Sequence, residues 1–414
     1  MVALFLGATL AAVELFSRAG LSMLEWRGVE YRPLVVDRLS AEHRGLLEDL
    51  LAGRPSLFQH DAVLGWTLRP GFRSELCTIG LDGRRRDSER PEPIAPAVRV
   101  ATFGDSFTFG GDVADRYAYP EVLARLDAGL EVENFGVPAY GLDQAFLRYQ
   151  REGRPVSTGS GLAPTGPQVV VIGFLSENIF RNVSVFRPFY RPPSQLPFAK
   201  PRYLPGQPDP TLIENPLPRL ADYRRLLARP AETLEQLGRH DHFYQTRLRA
   251  GAFDRSAAVR LAKLAREQLS PGTGIVRHGY YDSESEAFRV TTGLFTAFYE
   301  MALRDGAQPV ILVFPERGDL ERWRSTRTKP YTPLLQFLAA KGYRVVDAMT
   351  ALDATGKEHS VDDLIPTHFS PLANRLVAEY LLEQLRGFGL VRRRTGQETR
   401  PSRGDKLQPF TAGK

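Results

Sequence analysis

The chain has 414 residues, 43% of them hydrophobic and 25% charged, with a formal net charge of +6. That length suits one large domain with insertions, or two domains, around an ordinary core. The single cysteine, Cys77, excludes an internal disulfide and a zinc site built on several thiolates. The positive surplus does not mark a nucleic-acid partner: from residue 391 onward seven Lys and Arg outweigh two Asp and Glu. Residues 389–414 therefore read as a basic, disordered tail, either solvated or held at an anionic membrane surface.

Val2 to Val13 is an almost unbroken apolar run, followed by Glu14 and Arg18. It is too short to span a bilayer, which needs about 20 residues. Extending it to Met23 takes in both charges, which at i and i+4 can pair on one helix face. Residues 1–23 are expected to be an uncleaved membrane anchor; a buried or peripheral amphipathic helix and a signal peptide are the alternatives. A start codon further upstream would lengthen the anchor. Residues 24–95 form a lead-in with one helix expected over Ala41–Leu51, a His60–Gly71 stretch whose Gly, Pro and Trp mark turns and a small packed feature rather than a long element, and a Pro91/Pro93/Pro96 linker.

An α/β alternation then begins. Val98–Phe103, Leu130–Phe135, Val169–Phe174, Pro309–Phe314 and Tyr343–Val346 read as buried strands. Pro120–Leu130, Asp143–Arg151, Phe288–Arg304, Leu334–Lys341 and Leu372–Leu385 read as helices between and after them. Strands buried on both faces, alternating with helices, imply a mostly parallel sheet between helix layers. Residues 182–280 interrupt the pattern. Their first part is crowded with prolines and is expected to lack regular structure; helices are expected near Leu220–Leu227 and Ala257–Leu269. This insertion is placed to act as a lid or substrate platform, or to be a structural excursion.

Four residues at strand ends or in loops carry the chemistry. Ser106, in Gly104-Asp105-Ser106-Phe107-Thr108-Phe109-Gly110, sits where a strand gives way to a helix, with free N–H groups and a favourable dipole. It is the candidate nucleophile and needs a base. His368, in Pro366-Thr367-His368-Phe369-Ser370-Pro371, is the candidate base. Gly136, in Asn134-Phe135-Gly136-Val137-Pro138-Ala139-Tyr140-Gly141, offers a backbone N–H. Asn178 offers a side-chain amide after the third strand. With the Ser106 N–H these make three donors for an oxyanion. Taken singly, each has a structural reading: a helix cap for Ser106 or Asn178, a turn for Gly136, a structural loop histidine. Their order at successive strand ends favours the catalytic one.

In these blocks the chain resembles the SGNH (GDSL) hydrolases, named for the Ser, Gly, Asn and His that map here onto Ser106, Gly136, Asn178 and His368. The resemblance covers roughly residues 60–182 and 285–388, and the N-terminal segment and lead-in look like a bacterial, membrane-anchored branch. It implies a flavodoxin-like three-layer α/β/α sandwich over residues 96–388, carrying the 182–280 insertion. It implies hydrolysis or transfer of an ester acyl group, and no metal or organic cofactor. An extracytoplasmic domain acting on small acyl esters, such as acetyl groups on a glycan, is the expectation. Two positions depart from the family pattern. Ile365 stands where an aspartate usually orients the histidine, leaving Asp363, or else Asp362, as the expected orienting acid, or a backbone carbonyl in a Ser-His dyad. Ile179 stands where an aspartate often follows the asparagine. An O-acyltransferase would use the same serine ester, and a non-catalytic carbohydrate-binding or assembly protein would keep the fold. A nucleotide site is disfavoured, because the glycines lack a Gly-Lys-Ser/Thr ending.

Overall fold

The computed structural model describes residues 1–27, 39–90, 93, 98–154, 166–191, 196–206, 209–269, 274–356 and 358–392. The basic tail from residue 393, Pro91 and Pro96 of the linker, and Pro192, Pro193 and Pro208 of the insertion lie outside the described residues.

Five parallel strands make the central sheet: β1 (Val98–Gly104), β2 (Leu130–Gly136), β3 (Val169–Leu175), β4 (Gln308–Phe314) and β5 (Val345–Asp347). Their order across the sheet is β5-β4-β3-β1-β2. This is the flavodoxin-like order. It reverses direction between β1 and β3, and the crevice beyond the carboxyl ends of those strands is where such sheets bind ligands.

Alternate residues of each strand enter opposite layers. Val169, Val171, Val310, Leu312 and Phe314 pack with Leu123, Val377 and Leu381. Val170, Ile172, Phe174, Ile311 and Val313 pack with Phe146, Leu294 and Phe298 on the other side. Period-2 alternation with both faces apolar is what a sheet covered on both sides requires, and each such buried side chain contributes roughly 1.5–3 kcal/mol. The three-layer sandwich expected from the sequence is therefore present.

Several boundaries differ. The helix expected over Pro120–Leu130 spans Tyr119–Leu126, because Asp127 closes a turn: its Oδ1 accepts from Gly129 N–H and its carbonyl from Leu130 N–H, which starts β2. The small packed feature expected over His60–Gly71 includes Gly65–Leu68, which pairs antiparallel with Phe58–Asp61 as a hairpin. The proline-rich part of the insertion is not devoid of regular structure: Arg202–Leu204 pairs with Thr211–Ile213, and the prolines fall in the connecting turn and flanks. Helices Pro230–Gly238 and Arg317–Thr326 lie beyond the helices expected from the sequence.

The insertion is knitted by Asp241, which is fully buried. One of its oxygens accepts from the Ser184 hydroxyl at 3.0 Å and the Val185 N–H at 2.6 Å. The other accepts from the N–H groups of Phe243 and Tyr244, both at 2.9 Å. The N-terminal segment is one helix, Val2–Trp26, packed through Leu21 and Leu24 on Leu261 and Leu264 of helix Ala257–Leu269. Glu14 accepts from Ser256 Oγ and from the Ala257 and Ala258 N–H groups, so it caps that helix, and it also pairs with Arg18 at 3.4 Å. Phe5, Leu6, Leu10, Phe16 and Trp26 remain exposed. Among the described residues no helix is long and apolar enough to cross a membrane.

Candidate active site

β1 ends at Gly104, and Asp105 caps a single turn of helix, Ser106–Phe109. Asp105 Oδ1 accepts from the Phe107 N–H at 2.9 Å, and Oδ2 accepts from Asn178 Nδ2 at 3.0 Å. Arg181 Nη1 lies 3.5 Å from Oδ2. Burial pushes the Asp105 carboxyl up, and the Arg181 guanidinium pulls against it. Ser106 is the first residue of the turn, so its N–H has no intrahelical acceptor. Its carbonyl accepts from Gly110 and Gly111. Its side chain lines a cavity of about 1310 Å³ at the carboxyl end of the sheet.

His368 lines the same cavity. It stands just before helix Pro371–Gly387, whose first turn is capped by Ser370 Oγ. Its Nδ1 meets Asp112 Oδ2 at 2.6 Å. With Nδ1 facing a carboxylate, the ring proton is assigned to Nδ1, which leaves Nε2 as the basic atom. Asp112 follows the nucleophile turn by three residues and takes φ +62°, a left-handed conformation that aspartate tolerates better than most residues. Gly111 lets the ring approach, since a Cβ there would lie 2.9 Å from it. The Phe107 ring supports the imidazole at 5.3 Å. Ser106 Oγ and the ring make no hydrogen bond here, the ring's described partners being Asp112 and Phe107; such contacts commonly tighten only with substrate bound.

The orienting acid therefore differs from expectation. Asp363 is exposed and accepts from both the N–H and the hydroxyl of Ser360 at 2.8 Å, closing the cap of its own short helix. Asp362 pairs with Arg317. Neither reaches His368. Ile365 is fully buried in the apolar layer beside Leu364 and Phe369, so that position faces the core rather than the imidazole.

The expected oxyanion donors also rearrange. The Gly136 N–H donates to Asn134 Oδ1 at 2.9 Å. A Cβ on Gly136 would lie 2.3 Å from Phe109 N, so glycine is needed there for the nucleophile turn to pack on β2. Asn134 Nδ2 in turn holds the Phe109 carbonyl. The residue of this loop that reaches the cavity with a free N–H is Ala139, at φ +67°; among the described residues that N–H has no acceptor. Its loop is fixed by the lead-in: Trp66 Nε1 donates to the Pro138 carbonyl at 3.1 Å, and the Tyr140 hydroxyl donates to the Trp66 carbonyl at 2.6 Å. Asn178 is almost fully buried behind the cavity. One of its amide hydrogens serves Asp105, and its Oδ1 has no partner.

The cavity wall after β3 is dense in charge. Glu177 accepts from Arg181, from the Tyr190 hydroxyl at 2.6 Å and from Arg191 at 2.9 Å. Burial disfavours its charge, but Arg181 and Arg187, the Tyr190 hydroxyl and Arg191 outweigh it and hold the carboxyl well below the usual range. Burial, with Asp319 and Glu177 close by, pushes Glu316 up to about 7. Asp112 and Ala139 escaped sequence reasoning. The signal for Asp112 was present in Gly110-Gly111-Asp112, a turn where an aspartate can go left-handed; Ala139 carried none. Among the described residues no group of three or more His, Cys, Asp or Glu is placed to hold a metal ion.

No protein-family model matches the sequence, and no curated protein matches it. Solved structures similar to it include a member of the lipolytic G-D-S-L family from Veillonella parvula, with 11% identity over 69% of this chain and 97% of that one, at a TM-score of 0.33. A catalytic mutant of an acetylxylan esterase from Geobacillus stearothermophilus has 12% identity over 74% of this chain and 100% of that one, at 0.36. An alpha/beta hydrolase from the metagenome of Lake Arreo has 13% identity over 70% and 96%, at 0.36. The fold assignment rests on the strand order and register described above.

Proposed function

We propose that the chain is a serine esterase of the SGNH type, with transfer of the acyl group to an alcohol as its variant outcome. The observation that carries this reading is the meeting, on one cavity, of Ser106 at a helix N-terminus with a His368 whose Nδ1 is held by Asp112. Ser106 Oγ attacks the ester carbonyl carbon as its proton passes to His368 Nε2. Asp112 steadies the imidazolium that forms. The carbonyl oxygen becomes an oxyanion held by the N–H groups of Ser106 and Ala139, with the second amide hydrogen of Asn178 able to join them. The carbon–alkoxy bond breaks, the leaving alcohol takes the proton from His368, and an acyl-Ser106 ester remains. Water, or an acceptor hydroxyl, gives its proton to Nε2 and attacks the acyl carbon; the bond to Ser106 Oγ breaks, and Oγ takes the proton back from Nε2. The cavity is far larger than an acetyl group needs, and its polar wall suits a polyhydroxylated alcohol such as an O-acylated glycan.

Purified protein is expected to hydrolyse 4-nitrophenyl acetate, and Ser106→Ala to lower kcat/KM by about 10³–10⁴-fold or more. Mass spectrometry of the quenched wild type should find the acyl group on the peptide bearing Ser106. Equal rates for wild type and variant would sink the catalytic reading in favour of a binding protein.

A further inference from the structure

Six arginines line the cavity, and five of them have carboxylate partners. Arg54 pairs with Asp49, Arg85 with Asp115, Arg181 and Arg191 with Glu177, and Arg317 with Glu321 and Asp362. Arg187 has none. Its Nε and Nη1 are buried without a hydrogen-bond partner among the described residues; the Tyr190 ring lies 5.9 Å away, and Glu177, Arg181 and Arg191 act on it through their charge. Glu177, the nearest candidate partner, has its two oxygens occupied by Arg181, Tyr190 and Arg191. A guanidinium that is largely desolvated and unpaired is costly. Burial, with Arg181 and Arg191 close by, lowers its affinity for a proton, and Tyr190 and Glu177 offset this only in part.

The placement of Arg187 is enforced rather than accidental. Val185 and Phe186, just before it, are pinned by the buried carboxylate of Asp241. Arg187 itself opens the short turn Arg187–Phe189. The cluster is linked back to the nucleophile: Arg181 touches both Glu177 and Asp105, and Asp105 caps the Ser106 turn. A fixed fork of N–H donors with no internal acceptor, in the same cavity as the serine, matches a planar or tetrahedral oxyanion.

We propose that Arg187 is the anion-binding residue of this cavity and that the substrate is an ester carrying a carboxylate, sulfate or phosphate group. This inference rests on the ester-cleaving reading for its catalytic consequence, though the anion site itself does not. A bound anion would meet the guanidinium from the cavity side through Nη2, which is not among the buried nitrogens, and offset the charge that Glu177, shared with Arg181 and Arg191, balances only in part.

The test uses matched esters and the full chain. 4-Acetoxybenzoate against its methyl ester places the charge on the alcohol side; mono-4-nitrophenyl succinate against its methyl ester places it on the acyl side. On one of the two sides wild type should prefer the charged ester by about 10–100-fold in kcat/KM, mostly through KM, as expected for a charge-assisted hydrogen-bond pair. Arg187→Gln should collapse that ratio toward one, and Arg187→Lys should restore part of it. The Arg187→Gln thermal midpoint in anion-free buffer should equal or exceed that of wild type, since an unmatched buried charge has gone. Absence of preference in wild type on both sides, or equal loss on charged and neutral esters in Arg187→Gln, overturns the proposal. Should wild type cleave no ester at all, calorimetric titration with inorganic phosphate and with succinate decides the site alone. At least tenfold weaker binding of one of them by Arg187→Gln supports it, and equal or undetectable binding of both in the two proteins overturns it.

Discussion

The two walls of the cavity are built differently. The nucleophile wall is a turn of helix seated on the sheet, with its Asp105 carboxylate held by Asn178, Arg181 and the Phe107 N–H. Asp105 caps it, Asn134 holds the Phe109 carbonyl, and Gly136 leaves room for it. The arginine wall is assembled from Glu177, Arg181, Arg187 and Arg191 after β3, braced from the insertion by Asp241, and it ends with a guanidinium unpaired. Among the described residues the first wall leaves only neutral groups without a hydrogen-bond partner, and the second leaves a charged one. On the proposed reading the sheet sets the chemistry, and the segment that leaves it sets the choice of substrate.

Substitutions can break this contrast. The largest effect is expected at Asp112. Asp112→Asn removes the carboxylate on His368 Nδ1 and should lower kcat by about 10²–10³-fold, somewhat less than a fully buried triad acid because its side chain is 62% exposed. Asp363→Asn should change kcat by less than about twofold. The reverse ranking would return the orienting role to the histidine's own loop.

Next comes Glu316, on the arginine wall. Its carboxyl, raised in the folded chain to about 7 from an ordinary 4.5, favours the protonated form. Its contribution to stability is full below about pH 4.5 and is lost as pH rises through 7, amounting to about 3 kcal/mol at most. Urea denaturation at pH 5 and pH 7.5 should therefore show a larger fall for wild type than for Glu316→Gln. Equal falls would mean that the charge on this wall is better compensated than its contacts imply.

The smallest effect concerns the nucleophile wall. Ala139 holds a left-handed backbone that costs about 1–2 kcal/mol for an alanine. Ala139→Gly relieves that and loses about 0.5–1 kcal/mol to chain entropy. A net gain of about 0.5 kcal/mol is expected, read as a shift in the urea midpoint, with the N–H still in place and kcat retained. A loss of stability would show that the alanine methyl is packed rather than strained.

The sequence displays the nucleophile wall well because sheet periodicity is local. Val169–Leu175 and Gln308–Phe314 announce themselves by β-branched and apolar runs, and the Ser106 turn follows directly from β1. The partner of His368 was harder. Asp112 is 256 residues away from it in sequence, and proximity along the chain pointed instead to Asp363, whose carboxylate is taken by Ser360. Gly136 was read as a donor because glycine permits close approach; it does, but to Phe109 rather than to a ligand. The arginine wall was invisible because no period or motif marks Arg187. Only the count of partners in three dimensions shows that one guanidinium is left over.

The left-handed turn at Asp112 has a consequence for how this site could change over time. The proposed nucleophile and orienting acid lie within seven consecutive residues, Ser106 to Asp112, so they travel as one cassette. The histidine loop contributes a single ring. Position 365 is thereby released from electrostatic duty and is free to serve the core, as Ile365 does. Insertions or deletions before His368 would shift the ring without separating acid from serine, whereas one residue added between Ser106 and Asp112 would disconnect both from the base at once.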